Sequence, residues 1–492
     1  MNAQEQTHLT QAFDDIQAIV GTGFTRLRHG HYLLLQVDDA ARARQWIGEL
    51  LASGLVRHLG QVRRAHVPGQ PPAPQGERAT IPECVTLGIS HAGLAALGLV
   101  DDDDRPFPSA FRTGMADPSR RALLGDDPAM AWHWGDAAAQ GEAVHLLMSH
   151  FWAEDAQPAV WLDPQAIAAR GLRVHVVPTC PAYIDPPSEK NPGSREPFGF
   201  RDGLSQPVPR GIAWSHAEVE ARRRAGKALF ADREVALGEF VLGHPNEYRE
   251  TSYCPDVRWA GVEGAVTPLA GFGRNGSYMA VRQIQQHVAV FEAFARGCPV
   301  PDIAERMMGR FKDGRALAMA AGPAGDEAEP DAFRYLAEDA DGFRCPRGAH
   351  VRRANPRDAL SSTVNDGVAG SRLHRLLRRG RVYTDAVAPG RECEVGQGEG
   401  LMFIALNADI DRQFEFIQRA WINGSRFGDL HDEQDPILGS APGRAFTLQG
   451  LPVGMRIGGL PRFTTVLGGG YFFVPGLAAL RFIANGPPTP SA

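Results

Sequence analysis

Residues 401–424 read LMFIALNADIDRQFEFIQRAWING, an apolar run followed by a short polar break and an amphipathic stretch. Residues 401–406 predict a buried strand. Residues 410–421 predict a helix, because Phe414, Ile417 and Trp421 recur at helical spacing and would share one buried face. A polar residue in the break suits a helix N-cap. The stretch therefore predicts one strand–helix unit.

The same order recurs earlier in the chain. Residues 32–37 (YLLLQV) precede a helical pattern through Trp46, and residues 84–89 (CVTLGI) precede another amphipathic segment. Residues 144–149 add a further strand. The likeness between the first and last of these units predicts two similar α+β halves, which we divide near residue 220, into 1–220 and 221–492.

The C-terminal region predicts a hairpin. Residues 462–467 and 471–474 have the composition of strands, and the triple glycine Gly468–Gly469–Gly470 between them is typical of a tight turn.

Composition narrows the function class. The 492 residues are 43% hydrophobic and 22% charged, and 51 basic against 57 acidic side chains leave a net charge of −6. This balance indicates no general attraction to nucleic acid or anionic lipid. No apolar run approaches the ~20 residues of a membrane helix, and the polar N-terminal sequence lacks the pattern of a secretory signal. We therefore expect a cytoplasmic protein that contacts no membrane.

The six cysteines are scattered and form no CxxC pair. In a chain of this length they predict free thiols rather than a disulfide framework, a zinc site or an iron–sulfur site.

Four segments carry candidate chemistry. The first, GFRDG at residues 199–203, continues as LSQP. Its two glycines would let the backbone approach a flat ligand closely, although GxxDG by itself is also an ordinary Asp–Gly turn.

The second segment is CPRGAHVRRANPR, residues 345–357. Its His350 could ligate a haem iron with arginines near the propionates, but a lone histidine is more often a surface or core residue.

The third segment has five arginines within residues 372–381 (RLHRLLRRGR). They could form a nucleic-acid patch or surround one buried functional arginine. The acidic chain and the lack of interleaved aromatic residues disfavour the patch. The fourth segment ends at DPILG, residues 435–439. Asp435 could accept the second N–H of a ligating histidine, or belong to a simple turn.

Taken together and in this order, these segments resemble the dye-decolourising peroxidases, in particular the larger, mainly bacterial cytoplasmic members. The resemblance rests on residues 199–207, AHVRRANPR, LLRRG, residues 401–424 and the GGGYFFVPG ending. It implies an α+β fold of two ferredoxin-like domains, with antiparallel sheets forming a β-barrel-like core and haem between sheet and helices. The first domain would carry GFRDG and the second would bind haem.

The resemblance also implies residue roles. Asp202 and Arg378 would be the distal catalytic pair, with Arg379 the weaker alternative to Arg378, and His350 would be the proximal iron ligand. The other residues expected to contact the cofactor or its ligand are Leu401, Phe403, Arg352, Arg357 and Asp435.

The implied activity is reduction of hydrogen peroxide by a haem peroxidase, which then oxidises dyes, phenolics or other small one-electron donors through a high-valent iron–oxo state. The resemblance also implies one non-covalent haem b per chain. Covalent attachment of the c type is not expected, since no CxxCH motif is present. A homo-oligomer is compatible with the sequence. The alternatives are a haem carrier or iron-releasing protein that uses the same His350, a nucleic-acid-binding module, and a structural protein without cofactor. Trp259, Tyr383 and Trp421 are candidate electron relays by residue type, with core packing as the competing role.

Overall fold

The computed structural model describes residues 9, 11–63, 81–137, 142–175, 178–180, 195–213, 216–260, 271–319, 329–385, 398–441 and 443–487. Cys393 lies outside these ranges. Within them the chain forms one large antiparallel sheet flanked by helices. The predicted α+β class is confirmed.

The large sheet has ten strands: β1 (His29–Val37), β2 (Glu83–Ile89), β3 (Leu146–Trp152), β4 (Leu172–Val174), β5 (Pro178–Cys180), β6 (Ser277–Gln286), β7 (Leu377–Arg378), β8 (Arg381–Asp385), β9 (Glu399–Asn407) and β10 (Thr464–Val474). Their order is β6-β10-β2-β3-β1-β5-β8-β9-β7, with β4 beside β1. Strand β6 also pairs with β9, so the pairings return to the strand where they began. Strands β1–β3, which precede residue 220, and β6, β9 and β10, which follow it, thus share one sheet. The division near residue 220 stays a prediction, and that residue lies in helix His216–Ala225.

The strands are apolar on both faces because each face meets a separate core. In β1, Tyr32 and Leu34 pack in the core shared with Met402 and Phe472. On the other face, Leu33 and Leu35 pack in a second core that contains helix residues such as Trp46. Side chains alternate along a strand, so burial of both faces explains why the strand reads as a continuous apolar run.

Helices cover the outer face of the sheet and fill the connections: Ala40–Ala52, Leu59–Val62, His91–Ala96, Ser109–Thr113, Pro118–Leu124, Pro164–Ala168, His216–Ala225, Lys227–Ala231, Val288–Gly297, Ile303–Met308, Tyr335–Glu338, His350–Ala354, Val364–Arg372 and Leu477–Asn485. Asp39 caps helix Ala40–Ala52, as the polar break after the first strand predicted, and Ser90 caps helix His91–Ala96. None of the helices in the described ranges combines the length and apolar character that crossing a membrane requires.

Short strand pairs lie outside the large sheet: Leu99–Asp101 with Val257–Trp259, Val208–Pro209 with Glu234–Val235, and Arg444–Leu448 with Met455–Leu460. Short 3-10 turns occur at Ala18–Val20, Val160–Leu162, Leu237–Glu239 and Phe427–Asp429.

The predicted C-terminal hairpin is wrong. Residues 464–474 form the single strand β10, which runs straight through the three glycines. None of the three has a positive φ. A Cβ on Gly468 would lie 2.6 Å from the indole of Trp134, and one on Gly469 would lie 2.8 Å from the sulfur of Met115. These glycines admit close neighbours rather than turn the chain.

The helix predicted for residues 410–421 is present but wound more widely than an α-helix. Asp411–Glu415 and Ile417–Ile422 form π-helical turns. The amide of Glu415 donates to the carbonyl of Ile410 at 2.9 Å, which is an i→i−5 bond. Such turns are frequent at functional sites, and here Phe414 and Ile417 line a cavity.

Candidate active site

A cavity of about 300 Å³ lies between the large sheet and the helices of the second half. This is the size of a small-molecule site. Six of the residues that the motifs singled out line it: Asp202, His350, Arg357, Arg378, Leu401 and Phe403. They come from four separate stretches of chain, so the fold brings the four motif regions to one place.

His350 is the first residue of helix His350–Ala354. Its Nδ1 lies 2.9 Å from Oδ2 of Asp435, which is fully buried. The other oxygen of Asp435 accepts hydrogen bonds from the amides of Ile437 and Leu438, at 2.9 and 2.8 Å. A carboxylate held in this way fixes the imidazole orientation and favours a proton on Nδ1. Nε2 has no hydrogen-bond partner among the described residues, and it is the ring nitrogen left to meet a ligand.

The charge of Asp435 is maintained inside the protein. Burial raises its pKa, but attraction to His350 and the hydrogen bonds from His350 and Leu438 outweigh that effect, so the net pKa is lowered. Asp435 itself does not line the cavity. It lies behind His350, as a supporting group would.

Asp202 and Arg378 also line the cavity, and they are connected through one loop. Asp202 follows Gly199, which has a φ of +89°, and precedes Gly203, with a φ of +77°, so the loop needs glycine at both positions. A guanidinium nitrogen of Arg378 donates to the carbonyl of Leu204, two residues beyond Asp202. This bond connects the arginine to the loop that carries the carboxylate.

Strand alternation separates Arg378 from its neighbour Arg379. Arg378 ends β7 and faces the cavity. The guanidinium of Arg379 instead donates to the carbonyls of Ile19 and Val20, at 2.6 and 2.8 Å. Consecutive side chains in extended backbone point to opposite sides, so only Arg378 is available to the cavity.

Leu401 and Phe403 line the cavity from β9, while Met402 between them is buried in the core on the other face. Strand β6 is paired beside them and places Arg282 opposite Phe403. The ring of Phe403 lies 6.1 Å from that of Phe414, between centroids. These side chains give the cavity an apolar wall.

Arg352 does not face the cavity. Its guanidinium donates to the carbonyls of Cys345 and Asp339, at 2.9 and 3.0 Å, and lies over the ring of Tyr335. It supports the turn that leads into His350. The structure therefore does not place it with the other predicted cofactor contacts.

A cluster of arginines surrounds Asp331; Arg310 is buried, and Arg357 and Arg375 are partly buried. Arg357 donates to its side chain at 3.1 Å and Arg310 at 2.7 Å. Arg375, which the motif reasoning did not single out, donates to the carbonyl of Ser205 at 2.6 Å and has no carboxylate partner among the described residues. Burial and the charge of Arg357 lower the pKa of Arg375 to about 9. One carboxylate thus faces three guanidinium groups on the cavity wall, and the excess charge suits an anionic ligand group.

The backbone is strained beside this cluster. Ser205 and Arg357 have positive φ values of 59° and 54°. Their side chains are joined by a hydrogen bond of 2.8 Å. Positive φ in residues other than glycine is uncommon and concentrates at functional sites.

The arginine-rich segment is not a surface patch. None of its five arginines is exposed. Each donates to a protein carbonyl: Arg372 to Ala231, Arg375 to Ser205, Arg378 to Leu204, Arg379 to Ile19 and Arg381 to Leu27. The segment therefore does not present its guanidinium groups as an exposed row that could follow a phosphate backbone.

The three proposed electron relays are not on the surface. Trp259, Tyr383 and Trp421 are all buried. Core packing, the competing role, accounts for their positions. Four cysteines whose side chains are described, Cys84, Cys254, Cys298 and Cys345, are free thiols, as the sequence predicted.

Comparison with known proteins identifies relatives of one kind. Residues 266–438 match the family model described as "Dyp-type peroxidase, C-terminal". The multifunctional dye peroxidase DyP2 of Amycolatopsis sp. is 27% identical over 485 residues, covering 91% of each chain. A dye-decolorizing peroxidase of Mycena epipterygia is also 27% identical, covering 81% of this chain and 76% of that protein.

Two solved structures share the fold. The structure of DyP2 from Amycolatopsis sp. has a TM-score of 0.70 at 22% identity. The match covers 96% of this chain and 97% of the DyP2 chain. The structure of a DyP-type peroxidase from Anabaena sp. has a TM-score of 0.71 at 20% identity. The match covers 98% of this chain and 97% of the Anabaena chain.

Proposed function

The chain belongs to the dye-decolourising peroxidase family, a family of haem peroxidases, and from this premise we propose that it reduces hydrogen peroxide at a bound haem and oxidises dyes, phenolics or other small one-electron donors. One observation carries the proposal. A single cavity is lined by His350, backed by Asp435, and also by Asp202 and Arg378. A ligand for iron and an acid–base pair for peroxide thus share one space.

The cavity suits haem b, which we propose is bound non-covalently, one per chain. It combines apolar walls with the excess cationic charge of the arginine cluster, which would meet the propionates through Arg357 and Arg375. His350 would offer Nε2 to the iron, and Leu401 and Phe403 would lie along the ring. A single histidine ligand suits an iron that a porphyrin already holds. Among the described residues, no group of three or more His, Cys, Asp or Glu side chains is arranged to hold a metal ion by itself.

When bound, haem supplies the redox-active iron at which peroxide is reduced. Asp202 would take up a proton from bound peroxide and return it to the departing oxygen. Arg378 stabilises the negative charge that develops on the departing oxygen. Asp435 keeps the proton on Nδ1 of His350, which leaves Nε2 free to bind and makes the ring a stronger electron donor.

The absorption spectrum of the purified protein, before and after one equivalent of peroxide, tests the proposal. We expect a Soret band that changes on addition of peroxide. His350→Ala should lose much of the haem or its normal ligation. Asp202→Asn should keep haem and slow the peroxide-induced change by about 100- to 10,000-fold, the usual contribution of a positioned acid–base group.

Other outcomes would contradict the proposal. A haem band that ignores peroxide would indicate a carrier, and no band after reconstitution with haem would refute the cofactor. An unchanged Soret band in His350→Ala would refute the assignment of the ligand.

A further inference from the structure

Another of the carboxyl groups that line the cavity belongs to Glu196, six residues before Asp202. It closes the loop that leads to Asp202. Its two carboxylate oxygens accept from the amides of Phe198 and Phe200, at 3.0 and 2.8 Å. Its own amide donates to the carbonyl of Phe200 at 3.0 Å, and its carbonyl accepts from Gly199 at 2.7 Å. Glu196 thus takes part in four hydrogen bonds, one as donor and three as acceptor, that define the shape of residues 196–200.

Glu196 also ties this loop to the large sheet. Nε2 of Gln286, the last residue of β6, donates to Oε2 of Glu196 at 2.6 Å. The same strand contributes Arg282 and Ile284 to the cavity wall. The carboxylate therefore sets the position of the Asp202 loop relative to the wall that faces it.

The surroundings of Glu196 disfavour the ionised form of its carboxyl group. Burial, and to a smaller extent the charge of Asp202, raise the pKa of Glu196 against the lowering effect of its hydrogen bonds. Oε1 of the buried Gln286 has no hydrogen-bond partner among the described residues. Rotation of that amide would let it accept from a protonated Glu196, since an amide offers both a donor and an acceptor. The pair can therefore hold the loop in either protonation state of Glu196.

We propose that Glu196 is a positioning residue for Asp202, acting by holding residues 196–202 against β6 so that Asp202 faces the cavity. The inference rests on the proposed role of Asp202 in the peroxide reaction. The loop has other anchors that keep it folded without Glu196. Phe198 stacks on Phe291 with 4.3 Å between ring centroids, and Arg195 donates to the carbonyl of Gly199 at 2.7 Å. Loss of the carboxylate should therefore shift the loop without unfolding it.

The loop itself is tested by amide hydrogen exchange of the haem-loaded protein. Glu196→Leu removes the acceptor of two amides, and we expect residues 196–202 to exchange about five- to tenfold faster, as loss of hydrogen bonds worth ~1 kcal/mol each implies. Glu292→Gln, which changes an exposed glutamate on helix Val288–Gly297, is the matched control and should leave this segment unchanged.

The effect on Asp202 is tested by the rate of the Soret change after rapid mixing with hydrogen peroxide. Glu196→Leu should react about 10- to 100-fold more slowly, because a displacement of about 1 Å costs a rate factor of this order. Its affinity for haem should stay within about twofold of the parent protein, since Glu196 is not a haem ligand in this scheme. Glu196→Gln keeps an acceptor for one of the two loop amides, so its rate should recover in part, to a value between those of Glu196→Leu and the parent protein.

Each result decides between roles. A normal rate in Glu196→Leu, a loss of haem affinity equal to the loss of rate, or no recovery in Glu196→Gln would overturn the inference. If Glu196→Leu fails to fold, Gln286→Leu replaces it, with the same slowing expected and a normal rate overturning the inference. A normal rate in Asp202→Asn would instead refute the proposed role of Asp202, and the positioning role with it. A slow Asp202→Asn with a normal Glu196→Leu would refute the positioning role alone.

Discussion

Replacement of Asp435 by asparagine changes the charge behind His350 while keeping the side-chain shape. Oδ1 of Asp435 is held by two amides, from Ile437 and Leu438. The amide oxygen of the variant would take that position, so its NH2 group would face Nδ1 of His350. Two donors cannot share a hydrogen bond. The imidazole must move its proton to Nε2 or turn away, and a proton on Nε2 blocks the atom proposed to ligate iron.

The cost follows from the bond that is lost. The contact of 2.9 Å between His350 and Asp435 involves an ionised carboxylate. A hydrogen bond to a charged group contributes about 1.5–3 kcal/mol. At about 1.4 kcal/mol per factor of ten, haem affinity should fall by about 10- to 150-fold.

Titration of haem into the apoprotein, followed at the Soret band, measures this effect. Asp256→Asn is the matched control, because Asp256 is also buried and one of its oxygens likewise accepts two backbone amides, from Gly271 and Phe272, but it does not line the cavity. It should bind haem with nearly the parent affinity. An Asp435→Asn variant with the affinity and Soret position of the parent would refute the argument that Asp435 orients His350.

Three further predictions concern charge, pH and packing. Arg378→Leu should keep haem yet slow the peroxide-induced Soret change by about 100- to 1000-fold, with Arg378→Lys intermediate; a parent-like rate would contradict the role of the cation. Burial lowers the pKa of His31 from 6.5 to about 4. Between these two pH values the unfolded chain therefore binds more protons than the folded protein. The free energy of unfolding should fall by at most about 3 kcal/mol as the pH falls from 6.5 to 4. Denaturant unfolding of His31→Gln should show a correspondingly flatter pH dependence, and an identical slope would contradict burial of a neutral ring. Gly468→Ala should lower stability by about 1–3 kcal/mol, because its methyl group would collide with Trp134; Gly458→Ala, which meets nothing within 4 Å, is the control in the same thermal unfolding assay.

Sequence reasoning succeeded where the signal was local. The strand–helix units are written in short periodic patterns, and β1, β2 and β9 appear where those patterns predicted them. The triple glycine misled because the same residue serves a turn and a close approach of neighbours. Only the position of Trp134, more than 300 residues away in the chain, shows which applies.

Glu196 and Arg375 were missed for a related reason. Glu196 lies in a Pro- and Gly-bearing stretch that looks like a connector, and its importance arises from contact with Gln286, 90 residues later. Arg375 is one of five arginines in a short segment. Its lack of a carboxylate partner among the described residues is a property of its surroundings, which composition does not reveal.

By itself, the sequence determined the strand–helix units, the apolar runs buried on both faces, and the motifs that contain a candidate iron ligand and a candidate acid–base pair. Periodicity and motif spacing depend on neighbouring residues, so these features can be read from one chain. The tertiary structure decided that Arg378 rather than Arg379 faces the cavity, that Arg357 does so while Arg352 supports a turn, and that Asp435 reaches His350 across 85 positions. These choices depend on which distant groups the packed fold brings within hydrogen-bonding distance, and that proximity exists only once the strands have paired.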